Sequence, residues 1–498
     1  MTHKSAILAI DQGTTSSRAI VFDSQAKIIS VAQKEFTQYY PNDGWVEHDP
    51  EEIWETVVTV CTQAINDAEG KGYHIKAAGI TNQRETTLIW DKITGKAIYN
   101  AIVWQDRRTA ETCRSLTTDE TQKIIQETTG LRLDPYFSAT KAAWILDHIG
   151  GAREDADNGN LAFGTIDTFL IWRLTGGKIH ATDATNASRT NLYNIKTSEW
   201  DPALLDLFKV PTAILPEVKN SADDYGIIDP AFFGKNIPIT GVAGDQQAAT
   251  IGQACFQKGD IKSTYGTGCF VMQNTGDEMI LSNNQLLTTI AYQLNDVPTY
   301  ALEGSIFIAG AAVQWLRDEL GILENAADSE RMIKAADPNS HIYLVPAFTG
   351  LGAPHWSPEA RGAIFGLTRA TGPNELTRAA VESVCYQTHD LLEAMKSDGA
   401  PAKMLKVDGG MVANDWMCDF LAGTLDLSVQ RPTVMETTAL GAAYLAGLQV
   451  GIFTSIQDIQ THWNMDTEFT SNMQGKFREV HLKNWKKAVK ATLAYAEQ

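Results

Sequence analysis

Three apolar runs open the chain, Ala6–Ile10, Arg18–Phe22 and Ile28–Phe36, parted by the polar stretches "DQGTTSS" and "DSQAK". Their length and β-branched content predict a three-stranded antiparallel meander. The next segment, "DPEEIWETVVTVCTQAINDA", changes period: Ile53, Val57, Val60 and Ala64 share one helical face, Asp49 is placed to cap it, and Pro50 sits in its first turn. "IKAAGIT" then reads as a short buried strand, so the order is meander, helix, strand. A comparable order returns after residue 255. "KGDIKSTYGTGCFVMQNTG" is strand, Gly/Thr turn, strand; "LLTTIAYQL" and "PTYALEGSI" extend the meander; "AGAAVQWLRDEL" supplies a helix. This predicts a diverged internal duplication, with α/β domains over 1–254 and 255–498 and an elaboration of the first from Leu131 to Pro238. A length of 498 residues suits two large domains better than one core.

The composition, 44% hydrophobic and 20% charged, is that of a folded protein. A net charge of −19 argues against a nucleic-acid binder. It leaves an anionic small substrate open, because surface fields fade over roughly 8 Å at physiological salt. Six scattered cysteines without a Cys-x-x-Cys pair predict buried thiols rather than a metal cluster. The apolar run near the N-terminus is too short for a signal peptide, and no apolar segment approaches the roughly 20 residues of a membrane span. A soluble, cytoplasmic protein is the expectation.

Candidate chemistry changes this picture at the turns. The first hairpin tip gathers Asp11, Thr14, Thr15, Ser16 and Ser17, with Arg18 beside it. Backbone N–H groups at a Gly-containing turn make a nest for anionic oxygens, hydroxyls add donors, and Asp11 could hold Mg²⁺. The pattern is not a P-loop. Gly266-Thr267-Gly268 offers a second nest, and "KVDGGMVAND" a third glycine site with Asn414 beyond it. Each alone reads equally as an ordinary turn; three in domain-equivalent places favour a nucleotide site. "TGVAGDQQAATIGQA" puts Asp245 at a strand-to-helix junction. There a carboxylate either complements the helix dipole, worth about 0.3–1 kcal/mol, or accepts a hydroxyl proton; the adjoining Gln246 and Gln247 favour recognition of hydroxyls. Arg84-Glu85 pairs a donor with an acceptor and suits a vicinal diol, whereas in solvent it would be a weak surface pair. Trp104 and Tyr136 could wall in a small carbon skeleton. "TTALGAAYLAGLQVG" predicts a helix of small residues that packs closely, and "GLGAPHWSPEARGAIFGLTRATG" a packed connector in which His355 has no metal-ligand spacing.

Taken in order, "DQGTTSSR", "NQRETT", "WQDRR", "YFSATKAAW", "GDQQAA", "GTGCFV", "APHWSPEARGAIFGLTR" and "DGGMVAND" resemble the FGGY carbohydrate kinases over nearly the whole chain. The resemblance implies two ribonuclease-H-like domains of the actin/Hsp70 ATPase type, with ATP and a polyol in the cleft between them. "NQRETT" with "GDQQAA" favours glycerol over sugars, so the implied reaction is ATP-dependent, Mg²⁺-assisted phosphorylation of glycerol to sn-glycerol 3-phosphate. It implies phosphate and nucleotide contacts from Thr14, Thr15, Ser16, Arg18, Thr267, Gly310, Gln314, Gly410 and Asn414. Glycerol would be held by Arg84, Glu85, Tyr136, Asp245 and Gln246 and covered by Trp104 and Phe270. Asp245 would be the base, and Asp11 with Asp245 would lie around Mg²⁺. Family relatives imply a homodimer or homotetramer. Some members bind fructose 1,6-bisphosphate through a Gly-rich basic loop; here "DPAFFGKNIPITG" has no arginine and departs from that pattern. Others are switched by a phosphorylated histidine, and no histidine lies between Asp223 and Thr240. A different sugar substrate, or an ATP-driven actin- or Hsp70-like machine, is the competing expectation.

Overall fold

Each half of the chain is built on one sheet, and the two sheets share a strand plan. A computed structural model describes residues 4–496, so Met1–His3 of the N-terminal stretch lie outside it. The first sheet uses β1 (Lys4–Gln12), β2 (Ser16–Asp23), β3 (Ile28–Glu35), β4 (Tyr73–Asn82), β5 (Ile227–Ile228) and β6 (Ile237–Gly244), in the order β5-β6-β4-β1-β2-β3. The first three strands are antiparallel as expected, while β4 and β6 run parallel to β1. Ala6 to Ile10 are fully buried because both sheet faces are covered: Leu8 and Ile10 meet the helix α1 (Pro50–Gly70), and Ile7 and Ala9 face the other way. Asp49 caps α1 by accepting from the Glu51 N–H, and Ile53, Val57, Val60 and Ala64 form its buried face.

The helix α2 (Asp245–Gly252) follows β6 and leads to the second sheet. Its strands are β7 (Ile261–Tyr265), β8 (Cys269–Gly276), β9 (Leu287–Leu294), β10 (Val297–Ile306), β11 (Met404–Asp408), β12 (Ser428–Pro432) and β13 (Met465–Phe469), in the order β9-β10-β8-β7-β11-β12-β13. Three antiparallel strands next to two parallel ones reproduce the first sheet, which is the ribonuclease-H-like plan. One detail corrects the expected simple meander. β10, not β9, pairs with β8, and β9 lies outside β10 on a tight hairpin at Asn295-Asp296. The edge position lets β9 dock on the first half, where the Thr288 N–H donates to the Gly130 carbonyl at 2.9 Å.

The remaining helices that shape the cleft are α3 (Gly310–Asp318), α4 (Asp415–Leu425) and α5 (Thr437–Gln449). α5 lies between β12 and β13 of the second sheet in the chain but packs on the first, against α2. Its small residues are a steric requirement: a Cβ on Gly441 would lie 1.8 Å from the Ala248 carbonyl oxygen. The close-packing helix expected from "TTALGAAYLAGLQVG" is therefore the element that ties the halves together. The strand ends define the site. Gln12, Asn82 and Gly244 stand side by side at the C-terminal ends of β1, β4 and β6, and Thr264 stands beside Asp408 at those of β7 and β11.

Candidate functional site

The chemistry-bearing segments leave the sheets at these strand ends. In the first hairpin the turn closes by a Gly13 N–H to Ser16 carbonyl bond of 3.0 Å. The buried Gln83 amide donates to Gln12 Oε1 at 3.0 Å and to the Gly13 carbonyl at 3.1 Å, which fixes the tip. Thr14 Oγ1 accepts from the Trp104 indole at 3.0 Å, Ser16 Oγ accepts from Gln33, and Thr15 is exposed. Arg18 forms an ion pair with Glu436 at the start of α5. Ser17 does not belong to the tip: strand alternation in β2 turns it inward, where it bonds Thr56 of α1 at 2.9 Å.

Arg84 and Glu85 are buried, not a solvated pair. Glu85 adopts φ +59° in a three-residue turn closed by the Thr86 N–H on the Arg84 carbonyl at 2.7 Å. Arg84 Nε meets Asp245 Oδ1 at 3.1 Å, and its terminal nitrogens meet Glu303 at 2.5 and 3.1 Å. Arg189 Nε meets Glu85 at 2.6 Å, and its NH2 meets Glu303 at 3.0 Å. Burial raises the Glu85 carboxyl against the pull of Arg189 and Arg84. At Glu303 burial works the same way but Arg189 and Arg84 outweigh it, holding that carboxyl down at about 2. Trp104 packs edge-on against Tyr136 and Phe270, at centroid distances of 5.8 and 6.3 Å, and Arg84 lies over the Phe270 ring. Arg84, Glu85, Trp104, Tyr136, Asp245 and Phe270 thus form one contiguous cluster, with Phe270 contributed by the second half.

Asp245 is the first residue of α2, its side chain about one third exposed. Its Oδ1 accepts from the Gln246 N–H at 2.7 Å and faces Arg84; Oδ2 accepts no hydrogen bond from the described residues. Burial raises its carboxyl above the ordinary range, opposed by Arg84 and Lys262. Gln246 Oε1 accepts from the buried Lys262 at 2.5 Å. The Asp11 carboxylate accepts no hydrogen bond from the described residues; burial, with Asp245 and Glu436 adding to it against Arg18, pushes it up to about 7. The Asp11 carboxylate, which accepts no side-chain hydrogen bond, and Oδ2 of Asp245, left over from the pairing of Oδ1 with Arg84, are oxygen ligands of the kind a hard divalent ion takes one or two at a time.

On the second half, the Gly266 and Thr267 carbonyls accept from the Gly310 and Ala311 N–H groups at 2.9 and 3.0 Å, joining the second hairpin tip to α3. Gly409, at φ +92°, lies so close that a Cβ would sit 2.4 Å from the Tyr265 carbonyl oxygen. The second hairpin tip, the Gly310 turn and the Gly409 turn are therefore packed together within the second half. Thr267, Gln314 and Gly410 are exposed there. Asn414 is already engaged: its Oδ1 caps α4 through Met417, and its amide donates to Ser329 at 3.3 Å. Sequence reasoning passed over Glu303, Arg189 and Lys262. The signal for Glu303 and Lys262 was a lone charge within a strand otherwise apolar or hydroxylic, in "YALEGSI" and "DIKSTY"; Arg189, in "NASRTN", had none.

Comparison with known proteins bears on what this cluster handles. The family description "FGGY family of carbohydrate kinases" matches the chain in its N-terminal domain over residues 6–252 and in its C-terminal domain over 261–450. Glycerol kinase of Rhodospirillum centenum is 61% identical over 492 residues, covering 99% of both chains. That of Rhizobium rhizogenes is 60% identical, covering 98% of this chain and 99% of its own. Among solved structures, glycerol kinase of Plasmodium falciparum with ADP superposes with a TM-score of 0.92 at 37% identity, covering 98% of each chain. Gluconate kinase of Lactobacillus acidophilus, at 22% identity, a TM-score of 0.88 and coverage of 99% of this chain and 98% of its own, shares the fold.

Proposed function

The chain belongs to the FGGY family of carbohydrate kinases, and from that premise we infer that it transfers the terminal phosphoryl group of ATP to glycerol, giving ADP and sn-glycerol 3-phosphate. The observation that carries the site reading is the free Oδ2 of Asp245, next to the buried Arg84-Glu85 pair and under the Trp104–Phe270 cover. Arg84 donates to a glycerol hydroxyl, Glu85 and Gln246 accept or donate at its neighbours, and the rings of Trp104, Tyr136 and Phe270 cover the carbons. Asp245 Oδ2 takes the proton of the attacking hydroxyl as its oxygen bonds to the γ-phosphorus and the bond to the β–γ bridging oxygen breaks. Thr14, Thr15, Ser16, Arg18 and Thr267 hold phosphate oxygens from the two hairpins. Gly310, Gln314, Gly410 and Asn414 receive the nucleoside, Asn414 through its remaining amide hydrogen.

Mg²⁺ at Asp11 and Asp245 would supply charge neutralisation on the phosphate oxygens. Fixing hydroxyl and phosphate in line is worth on the order of 7–11 kcal/mol of the barrier. Two domains divided at 254/255 supply the halves of this cleft. A cytoplasmic homodimer or homotetramer completes the reading. No helix among the described residues is long and apolar enough to cross a membrane, and six free cysteines suit a reducing compartment. The test is coupled ADP release with glycerol, dihydroxyacetone, xylulose or no acceptor, with and without Mg²⁺. Glycerol- and Mg²⁺-dependent ADP release is expected; equal release without any acceptor rejects the reading.

A further inference from the structure

Glu303 lies within β10, in the second half, yet its carboxylate is spent entirely on cations of the first. Oε2 faces Arg84 NH1 at 2.5 Å; Oε1 faces Arg84 NH2 at 3.1 Å and Arg189 NH2 at 3.0 Å. All three side chains are buried. The donors of Arg84 are nearly used up. Nε serves Asp245, NH1 serves Glu303 and, at 3.3 Å, Gln247, and NH2 serves Glu303, which leaves one NH2 hydrogen for a ligand. Gln247 is itself held from the second half, donating to the Ile290 carbonyl at 3.3 Å. Glu85 is oriented by Arg189, which Glu303 holds. Both members of the hydroxyl-binding pair are therefore tied to one carboxylate across the domain boundary.

We propose that Glu303 is a positioning residue that sets Arg84 directly and Glu85 through Arg189, so that the polyol site is complete only while the two halves are closed on each other. This rests on the glycerol reading of Arg84 and Glu85. Parting the halves would strip the buried Glu303 carboxylate of both its arginines, while Arg84 kept Asp245 and Arg189 kept Glu85, and a buried charge left without its ion pairs is strongly unfavourable. β10 runs on into the turn at Gly310, whose N–H bonds the second hairpin, so movement on the nucleotide side is carried to Glu303. Linkage then requires nucleotide and polyol to strengthen each other's binding reciprocally.

The test is Glu303→Gln in the full-length protein, which keeps shape and one acceptor while removing charge. Glycerol and ATP are varied separately in the ADP-release assay, and glycerol binding is titrated calorimetrically with and without a non-hydrolysable ATP analogue. The KM for glycerol should rise about tenfold or more while that for ATP stays within about threefold. The analogue's tightening of glycerol binding, roughly five-fold or more in the wild type, should vanish. A variant that only loses thermal stability, or raises both KM values alike, overturns the proposal, as does a wild type without coupling. If Glu303→Gln does not fold, Arg189→Lys, which keeps the charge but cannot bridge Glu85 and Glu303, should shift the same quantities in the same direction; an unchanged glycerol KM there overturns it equally. A wild type inactive on glycerol overturns the glycerol reading and the proposal together. An active wild type with an unaltered variant overturns Glu303 alone.

Discussion

Replacing Asp245 by asparagine separates the proposed proton acceptor from the scaffold around it. Asparagine keeps an oxygen where Oδ1 accepts from the Gln246 N–H at 2.7 Å and faces Arg84 Nε at 3.1 Å, and puts an amide nitrogen in the place of the free Oδ2. The pairing with Arg84 loses its charge component. Asp245 is partly solvated and Arg84 keeps Glu303, so the cost to stability is about 1 kcal/mol or less. The proton acceptor itself is lost outright. Positioned general bases contribute typically about 10²–10⁴-fold, which is about 2.7–5.5 kcal/mol of activation free energy. Turnover of Asp245→Asn should therefore fall by roughly 10²–10⁴-fold, while the KM for glycerol changes only a few-fold because Arg84, Glu85 and Tyr136 remain. Coupled ADP release gives kcat, and calorimetric titration of glycerol shows that the pocket survives. A variant whose kcat stays within about fivefold of the parent removes Asp245 from the proton-transfer role. A variant that loses glycerol binding altogether assigns Asp245 to binding instead.

Other perturbations test other parts of the structure. Gly441→Ala drives a Cβ to 1.8 Å from the Ala248 carbonyl oxygen, so it should cost about 2 kcal/mol or more by overpacking despite alanine's better helix propensity, read by urea unfolding; unchanged stability would mean that α2 and α5 do not meet as described. His481 is buried, and that burial, with His341 and Arg378 nearby, depresses its imidazole from 6.5 to about 4. The unfolded chain takes up this proton first, so stability is full above pH 6.5 and lost as the pH falls toward 4, by about 2 kcal/mol at pH 5. His481→Gln should lack that loss, and parallel pH dependences of variant and parent in urea unfolding would refute the linkage. All six cysteines are free and buried. Burial pushes Cys113, Cys255, Cys269 and Cys418 up to about 12 and raises Cys61 and Cys385 as well. An aromatic disulfide reagent should label none in the native protein within minutes and all six after unfolding.

What could be read in the chain, and what could not, divides by the range of the interaction. β1 and α1 were legible because their patterns are local: an apolar run buried on both faces, and a 3.6-residue period with an aspartate cap and a proline at its start. The hairpin tips were legible for the same reason, since glycines and hydroxyls crowd into a few residues at the ends of strands. The errors came where a pattern leaves a side or a partner open. Alternation along β2 sends Ser17 to α1 while Ser16 stays outside, and a list of hydroxyls does not record that. A hairpin pattern gives β9 and β10 as neighbours but not which of them stands beside β8. The charge network was the least legible part. Glu303 meets residues 219 and 114 positions away, and its strand would look much the same with any buried side chain there. This follows from the physics of the site. A hydroxyl-binding arginine needs N–H groups aimed at the ligand, and its local motif supplies the arginine. Aim and neutrality require an acid at a fixed distance on the far side, and in this molecule that acid comes from a strand of the second sheet. The residues proposed to touch the polyol are thus written in short motifs, whereas those that hold them in register are scattered along the chain, because the fold brings them together from both halves.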